Sequence, residues 1–231
     1  MLGPIDYVLW FGSALLEAAV VVSLLRSRSL SWYFALILSM LGALGINIGR
    51  FFIFQRYGFA SSEYKYFYYY SDALWTIFLY ISVLALYQLV FKEMGVSKQI
   101  RGASIVLLGA TAVFSYLVVR QHQTQLTNHF VVELSQNLYF VGVVLTYLLW
   151  ASVIKLHETR TRLVQLVLAL GIYFSASAGA YALRNMYPGL PITKFIPPLA
   201  GTFLPLAWAY TFWKVPEDAR LAPVNLAAPN R

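Results

Sequence analysis

Glu17 is a carboxyl group placed in the middle of the first apolar stretch of this 231-residue chain. Asp6, Trp10, Ser13 and Glu17 follow one another at intervals of four, three and four residues, so they share one face of a helix. A charged group in hydrocarbon costs about 2.5 to 3.5 kcal/mol, so this face is expected to point toward other helices. Two interpretations stand: a proton-sensitive or ligand-binding carboxyl, and a hydrogen-bonded packing residue.

Polar residues recur at helical spacing in four other apolar stretches. They are Ser39, Asn47 and Arg50, then Asp72, Thr76 and Tyr80, then Glu133, Gln136 and Asn137, and finally Tyr173, Ser177, Tyr181 and Arg184. Four of them, Arg50, Asp72, Glu133 and Arg184, are predicted at one depth, in the outer third of the membrane. They would form the ion pairs Arg50 with Asp72 and Arg184 with Glu133, or they would ring a cavity that opens outward and takes a small polar or amphipathic ligand.

The candidate ligand-binding residues come from both patterns. They are Glu17, Asn47, Arg50, Asp72, Thr76, Glu133, Asn137, Tyr181 and Arg184.

The segment 63–72 is dense in aromatic residues and ends on Asp72. Tyrosine rings settle at head-group depth in membranes, so this run fits an interfacial belt. The alternative is an aromatic wall of the proposed cavity, with cation–π contacts to an amine.

Several kinds of chemistry are disfavoured by what the chain lacks. It has no cysteine, and the last apolar stretch has no lysine for a retinal Schiff base. The histidines His122, His129 and His157 are expected in loops, and two of them in one loop make a weak metal site. Neither a Ser, His and Asp set nor a phosphate-binding loop is present. We therefore predict no catalytic residue, no metal and no cofactor, and favour a protein that is not an enzyme.

Composition predicts an integral membrane protein. Apolar residues make up 60% of the chain and charged residues only 11%, against about 25% in soluble domains. The net charge of +8 comes from basic residues at the ends of the apolar stretches, where they favour lipid head groups. Nucleic acid is therefore not expected as a partner.

The apolar stretches predict seven membrane-spanning helices in an all-α bundle. They cover residues 5–25, 32–55, 68–91, 102–119, 131–154, 163–184 and 196–213. The predicted inner segments hold eleven Lys and Arg residues against six in the outer segments, which favours an outside amino terminus and a cytoplasmic carboxyl terminus. Residues 1–214 are expected to form one domain, followed by a short flexible tail over 215–231.

Small residues at four-residue spacing predict close helix contacts. Gly45 and Gly49 share one face of the second span, and Gly171, Ser175 and Gly179 share one face of the sixth. Such faces serve packing inside one bundle or between two copies of the chain.

The aromatic run Tyr66-Phe67-Tyr68-Tyr69-Tyr70-Ser71-Asp72 resembles that of uncharacterised seven-helix membrane proteins found in bacterial genomes. The resemblance implies a bacterial inner-membrane protein and carries no activity with it. The plan is also similar to seven-helix sensor modules, although no attached output domain is expected here. Any signalling partner would then be a separate chain.

The leading functional hypothesis is a bundle, not an enzyme, that binds a small molecule or lipid from the outer side and acts through a partner protein. One alternative is a proton-linked secondary transporter that uses Glu17. The other is a structural or assembly subunit of a larger membrane complex. Expected partners are membrane lipids, a small-molecule ligand, and a second membrane protein or further copies of this chain.

Overall fold

The fold is described by a computed structural model covering residues 4–26, 32–91, 97–120, 126–156, 160–187, 189 and 191–220. In those residues the long helices are α1 (Pro4–Arg26), α2 (Phe34–Tyr57), α3 (Ser62–Val90), α4 (Ser97–Arg120), α5 (Leu126–Lys155), α6 (Thr161–Met186) and α7 (Ile196–Lys214). A short 3-10 helix, Pro191–Lys194, precedes α7. No β-strand occurs in these ranges, so the all-α prediction is confirmed for them.

Five of the helices, α1, α2, α3, α5 and α6, are long and apolar enough to cross a membrane. The membrane prediction is thereby supported at this coarser level. In α4, the apolar segment found among the described residues, Ile105–Leu117, is shorter than a membrane span. Helix α7 has 19 residues, with Pro205 inside it. At 1.5 Å per residue α7 is about 28 Å long, close to the thickness of a bilayer core. The count of seven spans stays a prediction.

Six helices form a closed ring, in the order α1, α2, α3, α5, α6 and α7, with α7 packed against α1. The remaining helix, α4, lies outside this ring against α5 and, less extensively, α3. Contacts between α3 and α6 cross the interior of the ring. Polar side chains that point into the ring therefore meet side chains from helices far apart in the sequence.

Burial follows the pattern expected of a protein surrounded by lipid. Trp208, Tyr80 and Phe174 are fully buried inside the bundle, whereas large apolar side chains such as Trp213 and Val8 are more than 70% exposed on its outside. In water such an outer surface would be unfavourable, but acyl chains solvate it at little cost.

The third helix begins at Ser62, six residues before the predicted start. The hydroxyl of Ser61 caps it by accepting a hydrogen bond from the backbone N–H of Tyr64, at 3.1 Å. Glu63 and Lys65 lie in this first turn and interrupt the apolar run. A search for uninterrupted apolar stretches misses such polar turns, which is why α4 and α5 also begin about five residues early.

Glycine lets helices approach at some of the expected positions. A Cβ atom on Gly49 would lie 2.6 Å from the Phe67 ring, so α2 and α3 meet closely there, whereas Gly45 and Gly179 have nothing within 4 Å of that position. The tightest approach was not predicted: a Cβ atom on Gly142 of α5 would overlap the Phe174 ring of α6.

Gly142→Ala is expected to destabilise the bundle by about 1 to 3 kcal/mol, because the added methyl group would overlap the ring of Phe174, which is fully buried. Thermal unfolding in a mild detergent measures the effect. The matched control is Gly179→Ala, where the added methyl group meets open space and no loss is expected. Equal unfolding temperatures for the two variants would show that α5 and α6 are not in close contact at Gly142.

The residues just after α7 fold back onto the start of α6. The backbone N–H of Thr161 donates to the Ala219 carbonyl at 3.2 Å. The guanidinium of Arg162 donates to the Val215 carbonyl from Nε at 3.1 Å and from Nη2 at 2.6 Å. Thus 215–220, the first part of the predicted flexible tail, make specific contacts, and 221–231 lie outside the described residues.

Candidate functional site

Glu17 and Asn47 form a buried pair between α1 and α2. The Asn47 amide nitrogen donates to the two carboxylate oxygens of Glu17, at 2.7 and 2.8 Å, and lies 3.5 Å from the Ser13 hydroxyl. The Glu17 side chain is 5% exposed. Asn47 thus supplies the hydrogen bonds that a carboxyl group at this depth requires.

Arg50, one turn along α2 from Asn47, reaches across to α3. Its Nε donates to the Ser71 hydroxyl at 2.9 Å, and its Nη2 donates to the Tyr68 carbonyl at 3.3 Å. The guanidinium carbon also lies 4.3 Å from the centre of the Tyr68 ring. Hydrogen bonds and a cation–π contact therefore hold this cation against α3.

Asp72, the next residue after Ser71, is surrounded by aromatic side chains from α3, α5 and α6. Its Oδ2 accepts a hydrogen bond from the Tyr181 hydroxyl at 3.1 Å, and its Oδ1 lies 3.4 Å from the Tyr139 hydroxyl. The Tyr173 hydroxyl is 3.4 Å from that of Tyr139 and accepts from the Trp75 indole at 2.9 Å.

Ser135 lies one helical turn before Tyr139 on α5. Its hydroxyl faces the Asp72 carboxyl group, but it is buried and forms no hydrogen bond of acceptable geometry among the described residues. We call Asp72, Trp75, Ser135, Tyr139, Tyr173 and Tyr181 the Asp72 cluster.

The direction of the hydrogen bonds in this cluster follows from its donors. An indole N–H can only donate, so the Tyr173 oxygen accepts from Trp75 and its own proton is free to go to Tyr139. The Tyr139 proton then goes to Asp72. The chain of donors runs from Trp75 to the carboxylate, and Tyr181 donates to the same group. Such a network stabilises an ionised Asp72.

The predicted ion pairs are not formed. Among the described residues, no nitrogen of Arg50 lies within 4.0 Å of a carboxylate oxygen of Asp72, and the same holds for Arg184 and Glu133. Arg50 is engaged by Ser71 and Tyr68 instead, and Asp72 by tyrosine hydroxyls. Each charge is thus bound by neutral groups of neighbouring helices: oxygen acceptors of α3 for Arg50, and hydroxyl donors of α5 and α6 for Asp72.

Of the other predicted site residues, Thr76 and Arg184 lie at the Asp72 cluster, and Asn137 and Glu133 do not contact it. Thr76 is fully buried next to the cluster, but its hydroxyl donates to the Asp72 backbone carbonyl at 2.7 Å. Arg184 is exposed, with its guanidinium carbon 5.3 Å from the Tyr181 ring centre, at the outer edge of the cluster. Asn137 donates to Ser115 of α4 at 2.9 Å and so ties α4 to α5. Glu133 is half-buried and makes no hydrogen bond or ion pair with the cluster in the described structure.

The aromatic run at the start of α3 serves two purposes, one on each face. Tyr64 is buried and packs on Phe54, 6.3 Å between ring centres, and Tyr68 stacks against Arg50. Tyr66 and Tyr70 are about half exposed on the outside. The exposed rings leave the belt interpretation open as a prediction for the outer face, and the inner face is part of the polar interior.

The candidate residues taken from the sequence did not include Ser71, Trp75, Ser135, Tyr139 or Tyr173. Trp75 lies three residues after Asp72 and therefore on the same helix face, which was a usable signal. Tyr139 lies three residues after Gln136, on the polar side of α5, but its pairing with α3 could not be read from spacing. Of the three histidines predicted in loops, His129 lies in the first turn of α5, so the prediction is wrong for this residue, although its side chain is outside the described part. His122 and His157 lie outside the described residues.

Two apolar grooves lie between neighbouring helices. One, of about 350 Å³, is lined by α2 and α3 and includes Gly42, Gly45 and Phe78. The other, of about 280 Å³, is lined by α5 and α6 and includes Trp150 and Gly171. Asp72 lines neither of them.

Comparison of the chain with protein-family models, with curated proteins and with solved structures found no match. The geometry of the polar interior is therefore the basis for a functional proposal.

Proposed function

We propose that this chain is a bacterial inner-membrane bundle of seven spanning helices, not an enzyme, that binds a small molecule or lipid head group from the outer side and acts through a partner protein. One observation carries the proposal. Asp72 is an acid inside the helix ring that is only half-buried and is held by two tyrosine hydroxyls.

The distances at Asp72 favour a site that accepts something further. Hydrogen bonds between oxygens are normally 2.5 to 3.0 Å long, and the two tyrosine contacts are 3.1 and 3.4 Å. An ionised carboxylate has about four lone-pair positions, so capacity remains for additional donors. The exposed Arg184 beside Tyr181 marks the outer entrance to this group.

The proposed route to a partner runs along α3 and α6, which both contribute to the Asp72 cluster. At the opposite end of these helices Arg160 donates to the Leu89 carbonyl at 3.0 Å, and Arg162 holds Val215. A ligand that moves α3 relative to α6 would alter these contacts, which we place at the cytoplasmic side. That side is where a separate signalling chain would dock.

The orientation and span count are tested by cysteine labelling, for which this chain is well suited because it has no native cysteine. In spheroplasts, an impermeant maleimide should label Ala60→Cys, and it should label Asp218→Cys only after the membrane is permeabilised. Gly95→Cys and Gln123→Cys, which flank α4, should label from opposite sides. Labelling of both from one side would show that α4 does not span the membrane.

The binding proposal is tested by native mass spectrometry of protein extracted with its surrounding lipid. Wild-type protein should keep a bound molecule that Asp72→Asn loses. Glu63→Gln removes an exposed acid from the same helix and should keep it. The same set of bound masses in all three proteins would contradict a site at Asp72.

Proton-linked transport is a second candidate. It is favoured by the burial of Glu17, whose two carboxylate oxygens accept hydrogen bonds from the Asn47 amide. Proteoliposomes would be tested with labelled amines, amino acids and sugars, with and without a pH gradient. Transport predicts uptake that needs the gradient and is absent in Glu17→Gln. Uptake that is unaffected by this substitution would exclude Glu17 as the coupling group.

A further inference from the structure

We infer that the Asp72 cluster binds an ammonium group, either of a free amine or of an ethanolamine lipid head group. This inference rests on the proposed function, because it names the class of ligand for the same site.

The hydrogen-bond network at Asp72 is organised around negative charge. The donor chain from Trp75 through Tyr173 and Tyr139 ends on Oδ1, and Tyr181 donates to Oδ2. The hydroxyl protons of Tyr139 and Tyr181 point at the carboxylate, and the indole proton of Trp75 and the hydroxyl proton of Tyr173 point along the chain toward it. An anionic ligand at this place would be repelled by the negative charge of the carboxylate. A neutral ligand would leave the charge of the carboxylate uncompensated inside the bundle.

The cation nearest along the chain is not available to neutralise Asp72 directly. The side chain of Arg50 is held by the Ser71 hydroxyl and lies over the Tyr68 ring, and it makes no ion pair with Asp72 within 4.0 Å. The charge of Arg50 acts on both Glu17 and Asp72, but among the described residues Arg50 forms an ion pair with neither of them. An ionised Asp72 therefore has no cation in direct contact among the described residues, and an ammonium group would supply one.

The surroundings of the carboxylate suit an ammonium group in particular. The Tyr139 ring lies 5.5 Å from that of Tyr181 and 6.2 Å from that of Tyr173, between ring centres, so three aromatic rings are packed together beside the acid. Aromatic faces attract organic cations, most strongly where water is excluded. The buried Ser135 hydroxyl, which has no partner of acceptable geometry, is a further acceptor for an N–H group at the same place.

The test uses the full chain in nanodiscs of phosphatidylglycerol, which has no amine in its head group. Ethanolamine or methylamine at saturation should raise Tm by roughly 5 °C, while neopentyl alcohol and acetate should not. Replacing a third of the lipid with phosphatidylethanolamine shows whether the lipid head group is the source. Stabilisation by the free amines but not by this lipid would identify a soluble ligand.

Two variants and one control decide the role of the cluster. Asp72→Asn should lose the ammonium effect, and Glu63→Gln should keep it. Tyr181→Leu removes one aromatic face from a half-buried position and should weaken ammonium binding about tenfold, so the inference is still tested if Asp72→Asn does not fold. Unchanged ammonium binding in Tyr181→Leu, or in a folded Asp72→Asn, would overturn the inference.

The small molecules that raise Tm distinguish a failure of the ammonium inference from a failure of the proposed function. If the alcohol or acetate stabilises the protein and Asp72→Asn abolishes that effect, the site stands and the ammonium inference fails. If no probe and neither lipid changes Tm, both fail.

Discussion

Replacing Arg162 with glutamine is expected to lower the free energy of unfolding by about 3 kcal/mol, the largest effect of a single polar substitution that we predict. Arg162 is buried at the start of α6, and both of its bonds to the Val215 carbonyl are charge-assisted. Its guanidinium carbon also lies 5.6 Å from the Phe212 ring centre. The ion pair with Glu217, at 4.0 Å to a half-exposed partner, adds little.

The measurement is reversible unfolding in mixed micelles, with Arg56→Gln as the matched control. Arg56 is exposed at the end of α2, so its loss should change stability by less than about 0.5 kcal/mol. Limited proteolysis after residue 214 should also be faster in Arg162→Gln. Equal stability of the two variants would mean that the segment 215–220 is not anchored to α6.

The second large effect is expected at the buried pair of Glu17 and Asn47. Asn47→Leu removes the donor to both carboxylate oxygens and leaves the buried acid of α1 unsatisfied, at a cost of about 2 to 3 kcal/mol. Adding Glu17→Leu should recover most of the loss, because replacing both partners by apolar groups removes the unmet hydrogen bond. The coupling free energy from this double-mutant cycle is the quantity to measure.

Asn185 provides the control for that cycle. It is exposed, and its one described side-chain contact is a 3.5 Å hydrogen bond to Gln136, so Asn185→Leu should be nearly neutral. If the Glu17 and Asn47 substitutions are simply additive, then α1 and α2 do not meet through this pair.

Much of the helical layout was predictable because hydrocarbon imposes long apolar segments on the chain. The grouping of polar residues by face was informative for the same reason: Glu17 and Asn47 were both candidates, and they meet. Tyr181 and Asp72 were candidates too, and a hydrogen bond joins them across 109 residues of sequence. In each case the polar group was expected in the interior of the bundle, because its exposure to lipid is costly.

The partners of these residues were harder to predict. Spacing places a residue on a face but does not say which face of which helix lies opposite. Charge suggested that Arg50 would pair with Asp72, but the closed ring brings Tyr139 and Tyr181 to the acid and leaves Arg50 with Ser71 and Tyr68. Asn137 was placed in the site by its depth, yet it faces α4, outside the ring.

The most direct test of the Asp72 site is a high-resolution map of the protein extracted gently from its native membrane. We expect density that belongs to no residue of the chain beside the Asp72 carboxylate, next to the Tyr139 and Tyr181 side chains. A map in which Arg50 forms a direct ion pair with Asp72, or in which Asp72 points toward lipid, would contradict the account.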